Sequence, residues 1–367
     1  MSRILFFYVL RSFAVPALIC LFGLCALTLL FMSFDLIGAF FDEASVVTAR
    51  VAVDFLWGTL SMYLEWLLPA VFLLATLYTM WQFCRHSELI AMRAGGIGLG
   101  VIVAPILLTA LVAAGLSFAN TELVKPVAAT RALLIKDSDF KQTGRDPMPA
   151  GFAAPGNDHA WSIGRMDLAD IETLRDVRVT FMRPDGSMQV TYEAPEARWV
   201  DGTWWLQGGV TCLYYDELNR LEPARTRRLP NQPLVRATET PRQILAQNFD
   251  AALASFADRK ANRKTREQSG MTTEQKNEDS YATYNHFAAP FAIVLVTLFA
   301  IPAGIASGRQ SVFRGILLAI GLFIGYYALT FAAMFLSNND IVKPALAVAL
   351  PCIVFAVVSV ALFRKLP

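Results

Sequence analysis

The segment Ser87-Glu88-Leu89-Ile90-Ala91-Met92-Arg93-Ala94-Gly95-Gly96-Ile97-Gly98 holds the residues whose types and spacing could do chemistry. Ser87 is an N-cap by type, because its hydroxyl can accept a free first-turn amide. Glu88 then lies at the positive end of the helix dipole and Arg93 near the negative end. Gly95-Gly96 supplies a residue that can turn left-handed and stop the helix. Such a helix is far shorter than the ~12–15 residues that an isolated helix needs in water. Something outside the segment must hold it, either the membrane spans above it or a partner protein. With a partner, the chemistry is docking. Glu88 would pair with a basic side chain in a groove, and Leu89 and Met92, three apart on one face, would add the apolar contact. Arg93 and Gly95 would shape the far end.

Other chemistries lack their residues. No Gly-x-x-x-x-Gly-Lys-Ser/Thr phosphate loop occurs, and Gly95, Gly96, Gly98 and Gly100 open an apolar run without the lysine. His86, His159 and His286 are scattered, with no metal-type spacing, so no metal site or cofactor is expected. A Gly-x-Ser-x-Gly elbow is missing too, and an enzyme is not expected. Charges inside the apolar runs, the mark of ion-coupled transport, are equally missing, Glu65 being the nearest at a rim. No basic run interleaved with aromatics points to nucleic acid.

The elements that must position the segment are membrane spans. Of 367 residues, 55% are hydrophobic and 17% charged, with mean hydropathy +0.44, against about 25% charged in soluble proteins. About 20 apolar residues at 1.5 Å rise cross a ~30 Å hydrocarbon core. Runs of that kind are Ser12–Phe34, Leu67–Cys84, Gly98–Ala119, Phe287–Gly308, Gly315–Asn339 and Pro344–Phe363. Val51–Trp66, with Trp57, Tyr63 and Trp66, reads as a helix lying in the interface, and Pro69 as a break into the second span. With the N-terminus inside, cytoplasmic pieces hold Arg3, Arg11, Arg85, Arg93, Arg309, Arg314, Arg364 and Lys365, while the opposite short loops hold only Arg50 and Lys343. The positive-inside rule therefore places both termini and Ser87–Gly98 in the cytoplasm and the polar insert outside.

The insert reads as strands from Trp161 to about Arg236. Val177, Val179 and Phe181 alternate up to Pro184-Asp185-Gly186, and Met188, Val190 and Tyr192 alternate away from it. A second hairpin surrounds Asp201-Gly202. Consecutive hairpins without helices predict an antiparallel sandwich or roll. Thr240-Pro241 opens a helix with Ile244, Leu245, Phe249, Leu253 and Phe256 on its apolar face. The basic patch Arg259, Lys260, Arg263, Lys264 and Arg266 follows, by type either a solvated face or a contact for an anionic partner or lipid headgroup. Thr272 with Gln275 forms a weak capping-box pattern before the chain re-enters the membrane. Cys212 is alone in this region.

Several stretches together resemble one family. Ser87 to Ile97 resembles the cytoplasmic coupling segment of the lipopolysaccharide-export permeases, the LptF/LptG family. Asn120-Thr121-Glu122 and Pro126 are similar to that family's exit from the third span, and Ala197–Leu206 to a hairpin of its periplasmic domain. Pro290 and Tyr326-Tyr327 match its fourth and fifth spans. The Asp201-Gly202 hairpin and the loop around Asp35 are slightly closer to the LptG half.

The resemblance implies an α-helical membrane protein with six transmembrane helices and an inserted all-β, jellyroll-like periplasmic domain between helices 3 and 4. The expected divisions are 1–121 with the coupling segment 85–98, 122–285, and 286–367. It further implies a bacterial inner-membrane location. Expected partners are a paralogous LptF-like permease, a cytoplasmic LptB-like ATPase dimer that binds the ATP, LptC/LptA-like bridge proteins, and lipopolysaccharide. Phe31, Phe34, Phe323, Tyr327 and Phe331 are candidates to line the lipid cavity, or else to face lipid or pack on neighbouring spans. Family members often carry lysines after the first span that meet lipid phosphates, where Asp35–Glu43 here is acidic. His286 stands where a fixed positive charge is usual. Arg50, Lys125 and Lys343 are the candidates to replace those contacts, or simply to anchor at headgroups. The alternatives are a scaffold anchoring an outside β domain, and a mechanotransmission subunit acting on another lipid or lipoprotein.

Overall fold

A computed structural model describes residues 3–41, 47–137, 140, 148–154, 158–167, 170–241, 243–244, 256, 259–260, 273–309 and 312–364. The chain forms two units, one of Met1–Glu43, Ala52–Ala132 and Thr273–Pro367, the other of Ala44–Val51 and Leu133–Thr272.

The first unit is helical. Its elements are α1 (Arg3–Phe40), α2 (Ala49–Arg85), α3 (Glu88–Ala94), α4 (Leu99–Ala119), a π-helical turn (Asn120–Val124), the start of α5 (Lys125–Asp137), α6 (Thr273–Ala288), α7 (Phe291–Arg309), α8 (Val312–Asn338) and α9 (Pro344–Arg364). Among the described residues five helices are long and apolar enough to cross a membrane, or six if the α6–α7 pair, bent by 56°, is one span. That bend falls at Ala289-Pro290, where the proline ring restricts the preceding residue and removes a donor.

Pro69 does not break α2. The expected interfacial helix and the second span are one helix of 37 residues. Inside a bundle, the hydrogen bond lost to a proline is offset by packing and neighbouring polar groups. Leu68, Val71, Phe72 and Ala75 beside it are buried. At 1.5 Å per residue α2 is ~55 Å long, well beyond a ~30 Å hydrocarbon core. The third span also continues past Thr121, as one helical stretch Leu99–Lys136. The two extensions are joined side by side. Ser61 Oγ donates to Asn120 Oδ1 and Asn120 Nδ2 donates back to the Ser61 carbonyl, both at 3.0 Å. Lys125 Nζ lies 2.9 Å from Glu65 Oε2. Gly58 allows the closest approach, since a Cβ there would stand 2.1 Å from the Ala128 carbonyl oxygen. The helical unit therefore runs to Ala132 and resumes at Thr273, whereas sequence reading divides the chain at 122 and 286. The apolar core joins Val9 and Phe13 of α1, Met80 and Phe83 of α2, Ile102 and Ile106 of α4, and Ile301 of α7.

The second unit carries β1 (Met148–Ala153), β2 (His159–Met166), β3 (Thr173–Met182), β4 (Met188–Val200), β5 (Thr203–Gln207), β6 (Val210–Tyr214), β7 (Arg227–Leu229) and β8 (Gln232–Pro233). All pairs are antiparallel, in the order β1-β2-β3-β4-β5-β8, with β6 pairing β4 and β7. The β3–β4 turn closes through Arg183 N donating to the Ser187 carbonyl, with Gly186 at φ 82°. Val177, Val179, Phe181 and Val190 are buried as expected, but Met188 is exposed. A bulge between Phe181 and Met182 shifts the pairing there, which leaves Met188 out of the inward alternation that Phe181 and Val190 keep. Asp201 and Gly202 take φ 49° and 78°, the conformation of a two-residue type I′ hairpin turn.

Trp204 is fully buried between Trp161 and Trp199. Beside it a buried polar group closes the core. His159 Nε2 meets Glu239 Oε1, Trp161 Nε1 donates to the same oxygen at 3.0 Å, and Trp204 Nε1 donates to the Glu239 carbonyl at 2.7 Å. Burial pushes the His159 pKa down, but the hydrogen bond and charge of Glu239, with those of Asp158, outweigh it and leave it raised. Thr240 N donates to Gln243 Oε1 and Gln243 N to Thr240 Oγ1, the reciprocal bonds of a capping box. Leu245, Phe249, Leu253, Arg263, Lys264, Arg266 and Thr272 lie outside the described residues.

Candidate functional site

The segment between α2 and α4 folds as the glycines dictate, though not as Ser87 suggests. Ser87 takes a left-handed conformation, φ 59° and ψ 13°, and its side chain makes no cap hydrogen bond. It turns the chain instead: Ser87 N donates to the Cys84 carbonyl, and Ala91 N to that of Ser87. α3 is seven residues long. At its end Ile97 N donates to the Met92 carbonyl at 3.2 Å and Gly96 N to that of Arg93 at 2.9 Å, with Gly96 at φ 80°. That pair of bonds is a Schellman motif. Gly96, not Gly95, is its left-handed residue, and Ile97 and Met92 share the accompanying apolar contact zone.

Two anchors hold α3 to the bundle. Leu89 is 5% exposed and belongs to the same core as Phe83, Val9 and Phe13. Met92 is half-buried against that core. Leu89 and Met92 thus face inward, away from the surface expected to dock. Nothing in seven residues lets sequence periodicity separate Leu89 from Ile90. The second anchor is Glu88, whose Oε2 accepts a 2.6 Å hydrogen bond from the Tyr8 hydroxyl of α1. Tyr8 in turn stacks on Phe83. The signal for this pairing was absent from the sequence, since the two residues are 80 positions apart. The outward face is Ile90, Ala91, Arg93, Ala94 and Gly95, Ile90 being 53% exposed.

The candidate lipid-facing aromatics fall in two sets. Phe323 and Tyr327 of α8 meet edge to face, and Trp66 of α2 lies tilted against Tyr327 and stacked on Phe331, with centroids at 5.1 and 5.7 Å. Phe31 and Phe34 are about three-fifths exposed on α1. Trp66, read from sequence as an interfacial anchor, is the centre of the α8 group. Of the candidate phosphate partners, Lys125 is already paired with Glu65 and mostly buried, so it is no open cation. Arg50 and Lys343 are exposed. His286 is 5% exposed, packed on Phe118 and Phe287, with Nε2 3.0 Å from Glu122 Oε2 of the π-helical turn. Among the described residues no group of His, Cys, Asp and Glu could hold a metal ion.

A bundle of membrane-length helices, a short helix strapped to it and an antiparallel sheet define the class of multi-pass membrane proteins. The chain belongs to the LptF/LptG family: it matches the family model described as lipopolysaccharide export system permease LptF/LptG over residues 7–365. That description covers both halves of the pair. Comparison with individual curated proteins gives no match.

Proposed function

We propose that this chain is the inner-membrane permease subunit of an ATP-driven lipopolysaccharide exporter. It would extract the lipid from the membrane and pass it through its jellyroll-like domain to a periplasmic bridge. It pairs with a paralogous LptF-like permease, rests on an LptB-like ATPase dimer, and delivers to LptC/LptA-like bridge proteins. Both termini and α3 are cytoplasmic and the sheet is periplasmic. The observation that carries the reading is α3, held to the bundle by Leu89 and Glu88 with Ile90, Ala91 and Arg93 facing out. Movement of a bound ATPase would pass through the two anchors into α1 and α2. In this reading Leu89, Met92 and Glu88 transmit, while Ile90, Arg93 and Gly95 dock.

Phe31, Phe34, Phe323, Tyr327 and Phe331 are the proposed lipid-facing rings, and Arg50 and Lys343 the proposed phosphate contacts. Lys125 serves structure, through Glu65. Purifying the tagged protein in mild detergent and identifying what accompanies it tests the assignment. An ATPase and a second permease are expected. A β-domain partner without any ATPase would mark a scaffold instead. For topology, an impermeant thiol reagent should label Asp185→Cys and not Ser87→Cys in intact inner membranes, and the reverse would overturn it.

A further inference from the structure

A groove of about 980 Å³ runs between α1 and α2, at the upper end of the ~300–1,000 Å³ usual for ligand sites. Its lining changes along its length. At one end lie Tyr8, Arg11 and Ser12 of α1 with Trp81 and Gln82 of α2, and at the other Val15, Ile19 and Leu74. The polar end carries one guanidinium group of its own lining, that of Arg11. Arg11 lines the groove and is exposed, and Arg85 lies over the Trp81 ring at 5.0 Å. Tyr8, at this end of the groove, donates its hydroxyl hydrogen bond to Glu88 of α3. Arg11 and Cys20, nine positions apart on one helix, are separated by about 14 Å at 1.5 Å rise, against ~15 Å for half a ~30 Å hydrocarbon core. A cationic, aromatic-walled mouth above an apolar trough one leaflet deep has the polarity of an amphiphile turned outside in.

We propose that this groove is a binding site for one glycerophospholipid, with its phosphodiester at Arg11 and an acyl chain along Val15, Ile19 and Leu74. A helix of a partner protein fits less well, because it would set apolar side chains against Arg11 and Gln82. The site is distinct from the aromatic rings proposed to face lipopolysaccharide, and Tyr8 connects it physically to α3. The proposal shares with the assigned function only that these helices lie in a membrane. It needs neither partner nor ATP.

The test uses the full-length protein in vesicles containing phosphatidylglycerol with a photoactivatable acyl chain. Adducts should concentrate on the Val15–Cys20 and Leu74–Tyr78 peptides. Arg11→Gln should lower them about fivefold, the equivalent of ~1 kcal/mol per basic residue at a headgroup surface. A photoactivatable diacylglycerol, which lacks the phosphate, should label wild type at that lower level and be indifferent to Arg11→Gln. Ile19→Trp should block the trough, whereas Phe22→Trp, equally exposed on α1 but outside the groove, should not. Labelling spread evenly over exposed helix faces would overturn the proposal. So would an Ile19→Trp yield equal to wild type, or capture of a protein helix in place of lipid. A protein that labels as expected but exports nothing would sink the functional assignment and leave the groove standing.

Discussion

Replacing Leu89 by alanine separates anchoring from docking. Leu89 is 5% exposed and sits in the core with Phe83, Val9 and Phe13. Burying a leucine contributes ~1.5–3 kcal/mol, and with the cavity left behind Leu→Ala costs ~2–5 kcal/mol. A helix of seven residues has no stability of its own to offset that. The loss should therefore fall on α3 and not on the whole bundle, leaving it held by the Glu88–Tyr8 hydrogen bond and the half-buried Met92. An exposed hydrogen bond of that kind contributes only ~0.5–1.5 kcal/mol. Hydrogen exchange on the full-length protein is the assay. Amides from Ala91 to Ile97 should lose at least tenfold in protection, the equivalent of ~1.4 kcal/mol, while α4 and α7 keep theirs. Ile90→Ala, on the exposed face, should leave exchange unchanged and weaken ATPase retention instead. If Leu89→Ala leaves α3 as protected as wild type, or Ile90→Ala exposes it, the inward and outward faces have been assigned wrongly.

Gly58→Ala should be severely destabilising, because the added methyl meets the Ala128 backbone oxygen at 2.1 Å and the Ala132 Cβ at 2.7 Å. Its melting temperature in detergent should drop well below that of Gly38→Ala, where no atom lies within 4 Å. At Ser87, a lost cap would cost ~1 kcal/mol, but the residue is left-handed and its side chain caps nothing. Ser87→Gly should therefore stabilise by up to ~1 kcal/mol, and a Ser87→Ala loss matched by a similar Ser87→Gly loss would contradict the geometry. In the sheet, His159 has a folded pKa raised above 6.5. Its contribution is present below the unfolded value and is lost as pH rises through the folded one. Stability followed by tryptophan fluorescence should fall over that window, and Glu239→Gln should flatten the slope while costing ~3–5 kcal/mol at low pH. A wild-type curve that rises across the same window would refute the pairing.

The chain's hydropathy made the spans legible, and turn chemistry made the sheet legible. Pro184-Asp185-Gly186 and Asp201-Gly202 form the turns their backbone preferences demand. Pro69 misled because a local rule met a packed environment. Its neighbours on α2 are buried on both sides of it, and tertiary contacts outweighed one missing donor. The extension past Thr121 was hidden because Glu122, Lys125, Arg131 and Lys136 interrupt its apolar residues, and its pairing with α2 through Ser61, Glu65 and Gly58 is a long-range contact that no local pattern contains. Lys125 looked like a headgroup cation for the same reason. Its partner is 60 positions away. Within α3 the sequence located the helix and its glycine stop. Which face pointed inward depended on Phe83 and Tyr8, elements no local pattern contains.

The most direct test of the central claim is lipopolysaccharide release from proteoliposomes holding this chain, its partner permease and the ATPase. The wild-type complex should release lipid to a periplasmic acceptor only with ATP. A chain carrying Ile90→Asp and Arg93→Glu, both on the outward face of α3, should keep its fold and its lipid yet release none, with ATP hydrolysis uncoupled or the ATPase lost. Equal ATP-driven release by the altered chain would contradict the account, for α3 would then be a loop helix packed under its own spans.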